Sequence, residues 1–235
     1  MSDAPLPSLP EGYRAVVVGA SGGLGAAFLE RLATDSRCGE AIGLARDSDP
    51  PLELTDEATI AAAAEAVGGP VDCLIVATGA LTLDGHGPEK ALNRLDPAVL
   101  ARQFAINATG PALVLKHFAP LLPRRGRSIA AALSARVGSI GDNQTGGWYS
   151  YRAAKAALNQ LWHTAALEIR RRHPEAILAT LQPGTVDTDL TAPYRGNRPA
   201  LSPRAAAALL LETLDGLEPA DSGGFFDFAG NALPW

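Results

Sequence analysis

The feature that most constrains this chain is Tyr13-Arg14-Ala15-Val16-Val17-Val18 running into Gly19-Ala20-Ser21-Gly22-Gly23-Leu24-Gly25. The first six residues are short, β-branched and apolar, the pattern of a strand buried on both faces. Residues 26–34 continue with helical periodicity. A strand, a glycine-rich turn and a helix in that order form the context of a nucleotide-phosphate loop. Gly19, Gly23 and Gly25 allow a tight turn, close approach of backbone to a pyrophosphate and close helix–strand packing. The helix N-terminus adds free N–H groups and a positive dipole. The plainer alternative is a glycine turn with a structural role only.

Further strands are predicted at 40–45, 71–77, 128–133, 176–181 and 224–228, with a very short one at 50–54. Helical stretches at 56–66, 96–122, 153–172 and 203–214 alternate with them. Short connections between alternating elements predict an α/β fold: a single Rossmann-type doubly wound domain, about seven-stranded, its parallel sheet covered by helices on both faces. A chain of 235 residues, 47% of them hydrophobic, is long enough for one well-cored domain. Residues 1–12, with three prolines, are expected to be a flexible N-terminal tail, leaving 13–235 as the domain. That tail lacks the basic start and apolar core of a signal peptide.

A net charge of -5 and the absence of a long basic run argue against nucleic acid or an anionic membrane as a general partner. The longest apolar run, 205–211, is too short to span a bilayer. Cys38 and Cys73 have no metal-ligand spacing, which points to a reduced, cytoplasmic chain without a metal site.

Chemistry concentrates at Tyr151-Arg152-Ala153-Ala154-Lys155, at the start of the helical stretch. Tyr151 and Lys155 then share one helix face, offset by roughly 40° and one turn apart. A free phenol titrates near about 10, and a neighbouring ammonium is expected to draw it toward neutral pH, where general acid–base chemistry is efficient. By itself the pair fits an ordinary exposed helix face equally well. The strand at 40–45 ends in Arg46, with Asp47 one step beyond. An arginine there suits a ribose 2′-phosphate, so NADP is expected rather than NAD, the alternative being a solvated loop charge. Asn107-Ala108-Thr109-Gly110 sits amid good helix formers, a local conflict of the kind that marks functional or strained places. The loop 134–147 is long enough to be functional. The stretch 189–202, carrying Tyr194, Arg195 and Arg198, reads as a mobile flap.

With these pieces in order the chain resembles the short-chain dehydrogenase/reductases over nearly its whole length after residue 12, and within them the small C-factor/sniffer-type carbonyl reductases. Gly19 to Gly25 resembles the family's TGxxxGxG loop, with Val18 in place of Thr, and Tyr151 with Lys155 resembles its YxxxK pair. Asn107 falls at a helix-disrupting asparagine that orders a proton-relay water. Pro183-Gly184-Thr185-Val186-Asp187-Thr188 is similar to the PGxVxT stretch, where Thr188 would reach the nicotinamide carboxamide or a phosphate. Glu53, with Leu54 beside it, stands where the family meets the adenine amino group.

Two departures stand out. The family's NNAG is here Val76-Ala77-Thr78-Gly79, so the supporting amide bonds of that loop must be replaced or absent. The catalytic serine is usually three residues before a glycine, and counting back from Gly138 lands on Ala135. Ser134 is the expected hydroxyl and Ser139 the alternative, unless there is no direct equivalent. Ser134 could equally bond nearby backbone at a strand end.

The resemblance implies an NADP(H)-dependent oxidoreductase acting on a small-molecule carbonyl or its alcohol, working as a homo-oligomer, dimer or tetramer. Tyr151 would deliver the proton, Lys155 would hold the ribose hydroxyls, Ser134 would position the carbonyl oxygen and Asn107 would link Lys155 to solvent. Ala77, Thr78, Gly79, Pro183, Gly184 and Val186 would complete the cofactor cleft. The rival reading is a non-catalytic dinucleotide-binding sensor or signalling protein on the same fold. A Rossmann-like methyltransferase would have no need for Tyr151, Lys155 and the Pro183-Gly184 loop together.

Overall fold

In the computed structural model, which describes residues 4–197 and 199–235, the strand that precedes the glycine turn sits inside a six-stranded parallel sheet. The strands are β1 (Tyr13–Val18), β2 (Cys38–Leu44), β3 (Cys73–Val76), β4 (Ser128–Leu133), β5 (Ala176–Gln182) and β6 (Gly224–Asp227). Their order across the sheet is β2-β1-β3-β4-β5-β6. The chain moves one way from β1 to β2 and the other way to β3, so the C-terminal ends of β1 and β3 flank a topological switch point, where α/β sheets open a crevice.

The helices are α1 (Gly23–Ala33), α2 (Glu57–Val67), α3 (Pro97–Phe104), α4 (Gly110–Phe118), α5 (Tyr149–Ile169), α6 (Ala192–Arg195) and α7 (Pro203–Gly216). Side chains alternate along β1, so Ala15 and Val17 face one layer while Val16 and Val18 face the other. On the first face α1 and α7 bury Phe28, Leu32, Leu210 and Leu214. On the second, α2, α4 and α5 bury Ile60, Phe118, Leu158 and Trp162. Asp56, Asp96 and Ser202 cap α2, α3 and α7 by accepting from N–H groups of the first turn.

Two expectations change. Residues 50–54 form no strand: Pro50 and Pro51 have no N–H for a ladder, and Leu52 N instead turns back to the Ala45 carbonyl at 2.8 Å. The sheet therefore has six strands where about seven were expected. Of the N-terminal segment, residues 1–3 lie outside the described residues and the rest is packed, with Leu6 0% and Leu9 1% exposed in the α1/α7 core. Arg37 Nη2 donates to the Leu9 carbonyl at 2.6 Å and Ser8 N to Asp215 Oδ1 at 2.9 Å. The prolines that suggested a loose tail limit the freedom lost on docking. Leu9→Ala should cost about 2–5 kcal/mol and lower the melting temperature by roughly 5–15 °C. Thermal denaturation with no shift would contradict this anchoring.

The helical stretch Pro97–Leu121 is long and apolar enough, by composition alone, to cross a bilayer. In the fold its Val114, Leu115 and Phe118 belong to the second core layer. The conflict read at Asn107 takes the form of a π-helical turn over Ala105–Thr109 between α3 and α4. Pro111 has no N–H for the carbonyl four residues back, that of Asn107, so regular α pairing fails there.

Candidate active site

A cleft of about 770 Å³ opens at the switch point. Gly19 has φ +88, and a Cβ there would lie 2.9 Å from the Ala77 carbonyl oxygen; one on Gly25 would lie 2.0 Å from the Gly19 carbonyl oxygen. Only glycine allows the turn to double back so tightly against both β3 and its own helix. Gly22, the N-cap of α1, offers no side chain, and the first turn carries no acidic residue, so the N–H groups of this turn and its dipole face the cleft without an internal anion. Ser21, Gly22, Gly23 and Leu24 line this end, with Ala77, Thr78 and Gly79 opposite and Pro183, Gly184, Val186 and Thr188 alongside. Thr188 closes against the glycine turn: a Cβ on Gly23 would meet its Cγ2 at 2.9 Å.

Ser134, Tyr151 and Lys155 line the other end, so most of the expected residues meet in one cavity. Lys155 is 2% exposed and its Nζ donates to the Leu133 carbonyl at 2.8 Å. The same Nζ lies 5.9 Å from the centre of the Tyr151 ring. Among the described residues the Tyr151 hydroxyl has no hydrogen-bond partner. The electrostatics differ from expectation. Burial raises the Tyr151 phenol well above its ordinary value, and burial also lowers the Lys155 ammonium to about 7. Desolvation is the cause of both shifts, so the resting site holds a protonated phenol and an easily neutralised amine.

Asn107 is fully buried and bonded to the protein through both ends of its amide. Its Oδ1 accepts from Ala80 N at 3.0 Å, while Nδ2 donates to the Ala80 carbonyl at 3.0 Å and to Gln103 Oε1 at 2.6 Å. Gln103 Nε2 in turn donates to the Leu81 carbonyl at 3.1 Å. These two side chains of the interrupted helix hold the backbone of Ala80 and Leu81, immediately after Val76-Ala77-Thr78-Gly79. A Cβ on Gly79 would lie 3.2 Å from Asn107 Oδ1 and 3.5 Å from Lys155 Nζ, which places both groups behind the same glycine.

Ser134 Oγ is paired with the Asn159 side-chain amide at 2.6 Å. Its neighbour Ala135 lines the cleft with a methyl group. Ser139 is buried, accepts from Asp142 N at 3.1 Å and does not line the cleft. Glu53 and Leu54 are also outside it. Glu53 Oε1 accepts from Thr55 N and Oγ1, and Leu54 packs where a Cβ on Gly110 would fall. Arg46 is exposed just past the end of β2 and has no ion-pair partner among the described residues.

Sequence reasoning missed the roof of the cleft. Trp148, with φ 56, begins α5 in a left-handed conformation, and its N–H donates to the Glu89 carbonyl at 2.5 Å. The Glu89 carboxylate accepts from Ser150 N and Ser150 Oγ, pinning the start of the helix. The Trp148 ring meets Tyr151 and Tyr194 edge-on at 6.2 and 5.6 Å, and Tyr194 of α6 bonds Thr82 at 2.5 Å. The stretch expected to be a mobile flap is thus tied down at Tyr194, and Arg195 pairs with Asp187 at 2.6 Å. Arg198 lies outside the described residues. The Gly146-Gly147 pair before an aromatic was the one local signal for this arrangement.

Comparison with known proteins identifies the family. Residues 40–199 match the family described as short chain dehydrogenase. The chain is 33% identical over 190 residues to 1-hydroxy-2-glutathionyl-2-methyl-3-butene dehydrogenase of Rhodococcus sp. (strain AD45), covering 80% of each chain. It is 37% identical over 168 residues to the C-signal protein of Myxococcus xanthus, covering 71% of this chain and 94% of that one. Its fold matches that of an NADPH-bound carbonyl reductase from chicken fatty liver, with a TM-score of 0.82 at 24% identity over 97% of this chain and 100% of the other. A strand–glycine turn–helix start, a Tyr151/Lys155 pair in the same cleft and these matches lead to one conclusion: the chain belongs to the short-chain dehydrogenase family of oxidoreductases.

Proposed function

We propose that the protein is an NADP(H)-dependent carbonyl reductase, able to run in reverse as an alcohol dehydrogenase, on a small-molecule substrate. The observation that carries this is the placement of Tyr151 and Lys155 at one end of a cleft whose other end is a glycine-rich helix start. The cleft fits a dinucleotide. Its glycine cradle leaves no room for a Cβ, and Thr78 Oγ1 is buried without a partner, free to bond a ligand hydroxyl. The cofactor, when bound, supplies the hydride.

The protein's own residues do the rest. The Gly22–Gly25 backbone would hold the diphosphate, and Arg46, at the end of β2 and without an ion-pair partner among the described residues, would hold the 2′-phosphate. Lys155, anchored to Leu133, would hold the nicotinamide ribose hydroxyls. Tyr151, protonated at rest, gives its phenolic proton to the oxygen of the carbonyl as charge develops there, and takes a proton back from solvent afterward. Trp148 and Tyr194 close the site over the substrate and exclude water. The family habit of pairing subunits through long helices supports a homo-oligomer, and two free cysteines, Cys38 and Cys73, suit a reducing cytoplasm.

The test is NADPH oxidation against a panel of aldehydes, ketones and diketones, with NADH as the comparison. Arg46→Ala should weaken NADPH binding roughly 10- to 100-fold, as loss of a charge-assisted contact to the phosphate does, and leave NADH binding unchanged. Equal losses for both cofactors would count against the phosphate role. A second reading, a dinucleotide-binding signalling protein without turnover, is favoured by the methyl group of Ala135 in the cleft and by the likeness to C-signal. It predicts NADPH binding with no oxidation by any carbonyl.

A further inference from the structure

Ser134 and Asn159 make a contact that the proposed chemistry leaves unexplained. Asn159 stands one turn beyond Lys155 on α5, is 2% exposed and lies behind the cleft, whereas Ser134 lines it. With the amide seated so that Oδ1 accepts from Ser134 Oγ at 2.6 Å, Nδ2 is buried with no partner. Orphaned buried N–H donors are rarer in folded proteins than under-satisfied carbonyl oxygens. Exchanging the two ends of the amide preserves the 2.6 Å contact and satisfies the donor: Nδ2 then donates and Ser134 Oγ accepts.

The exchange changes what Ser134 can do. A serine hydroxyl carries one hydrogen, and in the first seating Asn159 holds it. In the second seating that hydrogen is released. No other group among the described residues accepts from Ser134 Oγ, and Ser134 is one of the residues that line the cleft. There the oxygen of a carbonyl held near Tyr151 would accept it. We propose that Asn159 is a positioning residue that acts through Ser134: its amide donates to Ser134 Oγ and so presents the serine hydrogen to the substrate oxygen. This rests on the carbonyl reductase reading of the site. It also gives a role to a serine that stands one position before Ala135, where the family resemblance expects the hydroxyl.

Asn159→Asp is the nearest isostere that removes the donor, because an ionised carboxylate only accepts and would hold the Ser134 hydrogen. Ser134→Ala should lower kcat on the order of 10- to 100-fold, and Asn159→Asp by a similar factor, with NADPH affinity retained. The double variant should lose no more than Ser134→Ala alone, since both changes remove one shared interaction. If Asn159→Asp does not fold, the same cycle with Asn159→Leu decides the matter. In the cofactor-free protein, one side-chain amide proton of Asn159 should show slowed exchange by nitrogen-15 NMR, lost in Ser134→Ala. Additive losses in the double variant, or an Asn159 amide whose exchange is indifferent to Ser134→Ala, would overturn the role while leaving the reductase reading intact. A folded parent protein that binds NADPH but reduces nothing would instead overturn both.

Discussion

Tyr151→Phe should lower kcat by roughly 10²- to 10⁴-fold, the range for loss of a positioned general acid, and leave NADPH binding unchanged. The two side chains fill nearly the same volume. The Tyr151 ring is buried against Trp148, and its hydroxyl makes no bond among the described residues whose loss would disturb the fold. The change is therefore confined to the proton. Burial raises the phenol above its ordinary value, so it remains protonated through neutral and moderately alkaline pH. Carbonyl reduction, which consumes that proton, is expected to proceed at neutral pH. Alcohol oxidation needs the phenolate and is expected to rise as the solution becomes alkaline. Turnover by Tyr151→Phe close to that of the parent, measured by NADPH consumption, would remove the residue from the mechanism.

The second large effect is on stability, at Lys155. Its ammonium titrates at about 7 in the folded protein, because burial penalises the charge, against about 10.4 in an unfolded chain. Between these values the unfolded chain binds a proton that the folded one does not. Folding stability therefore rises with pH from about 7 to about 10. Below about 7 both states hold the proton and the full burial penalty applies. Lys155→Met removes this dependence, so its melting temperature should vary less than that of the parent between pH 7 and pH 10, as measured by thermal denaturation across that range. At neutral pH the variant gains from losing a buried charge, although the Leu133 carbonyl loses its donor. Turnover should fall by orders of magnitude in the same variant, which would mark Lys155 as a residue kept for function at the expense of stability. Identical pH slopes in the two proteins would show that the buried ammonium does not govern this part of the stability curve.

The sequence made the frame legible because its signals are local. Short continuous apolar runs marked β1 and β4 closely, and the glycines between β1 and α1 pointed to the turn. Tyr151 and Lys155 were legible as a pair because four residues make one helical turn. The proline-rich N-terminus misled for the opposite reason. Leu6 and Leu9 have no helical or strand periodicity of their own, and only the groove beside α1 and α7 gives them a place. The residues at 50–54 failed as a strand because two prolines deny it a ladder.

Parts of the site remained out of reach because they depend on contacts distant in the chain. Glu89 holds Ser150 from 61 positions away, and Thr82 holds Tyr194 from 112. Nothing near either residue announces its partner. Ser134 and Asn159 are only 25 apart, but each alone reads as an ordinary polar residue. The direction of the pKa displacements was likewise invisible. Spacing suggested that a lysine sits beside a tyrosine, whereas burial decides that the phenol moves up and the ammonium down.

The most direct measurement is the fate of the hydride. With NADPH deuterated at the transferable position of C4 and a carbonyl substrate from the panel, mass spectrometry of the alcohol should find the deuterium on the carbinol carbon, with the hydroxyl hydrogen drawn from solvent. An alcohol formed without label on that carbon would contradict direct transfer in this cleft, and cofactor binding that yields no alcohol at all would contradict the assignment of a reductase.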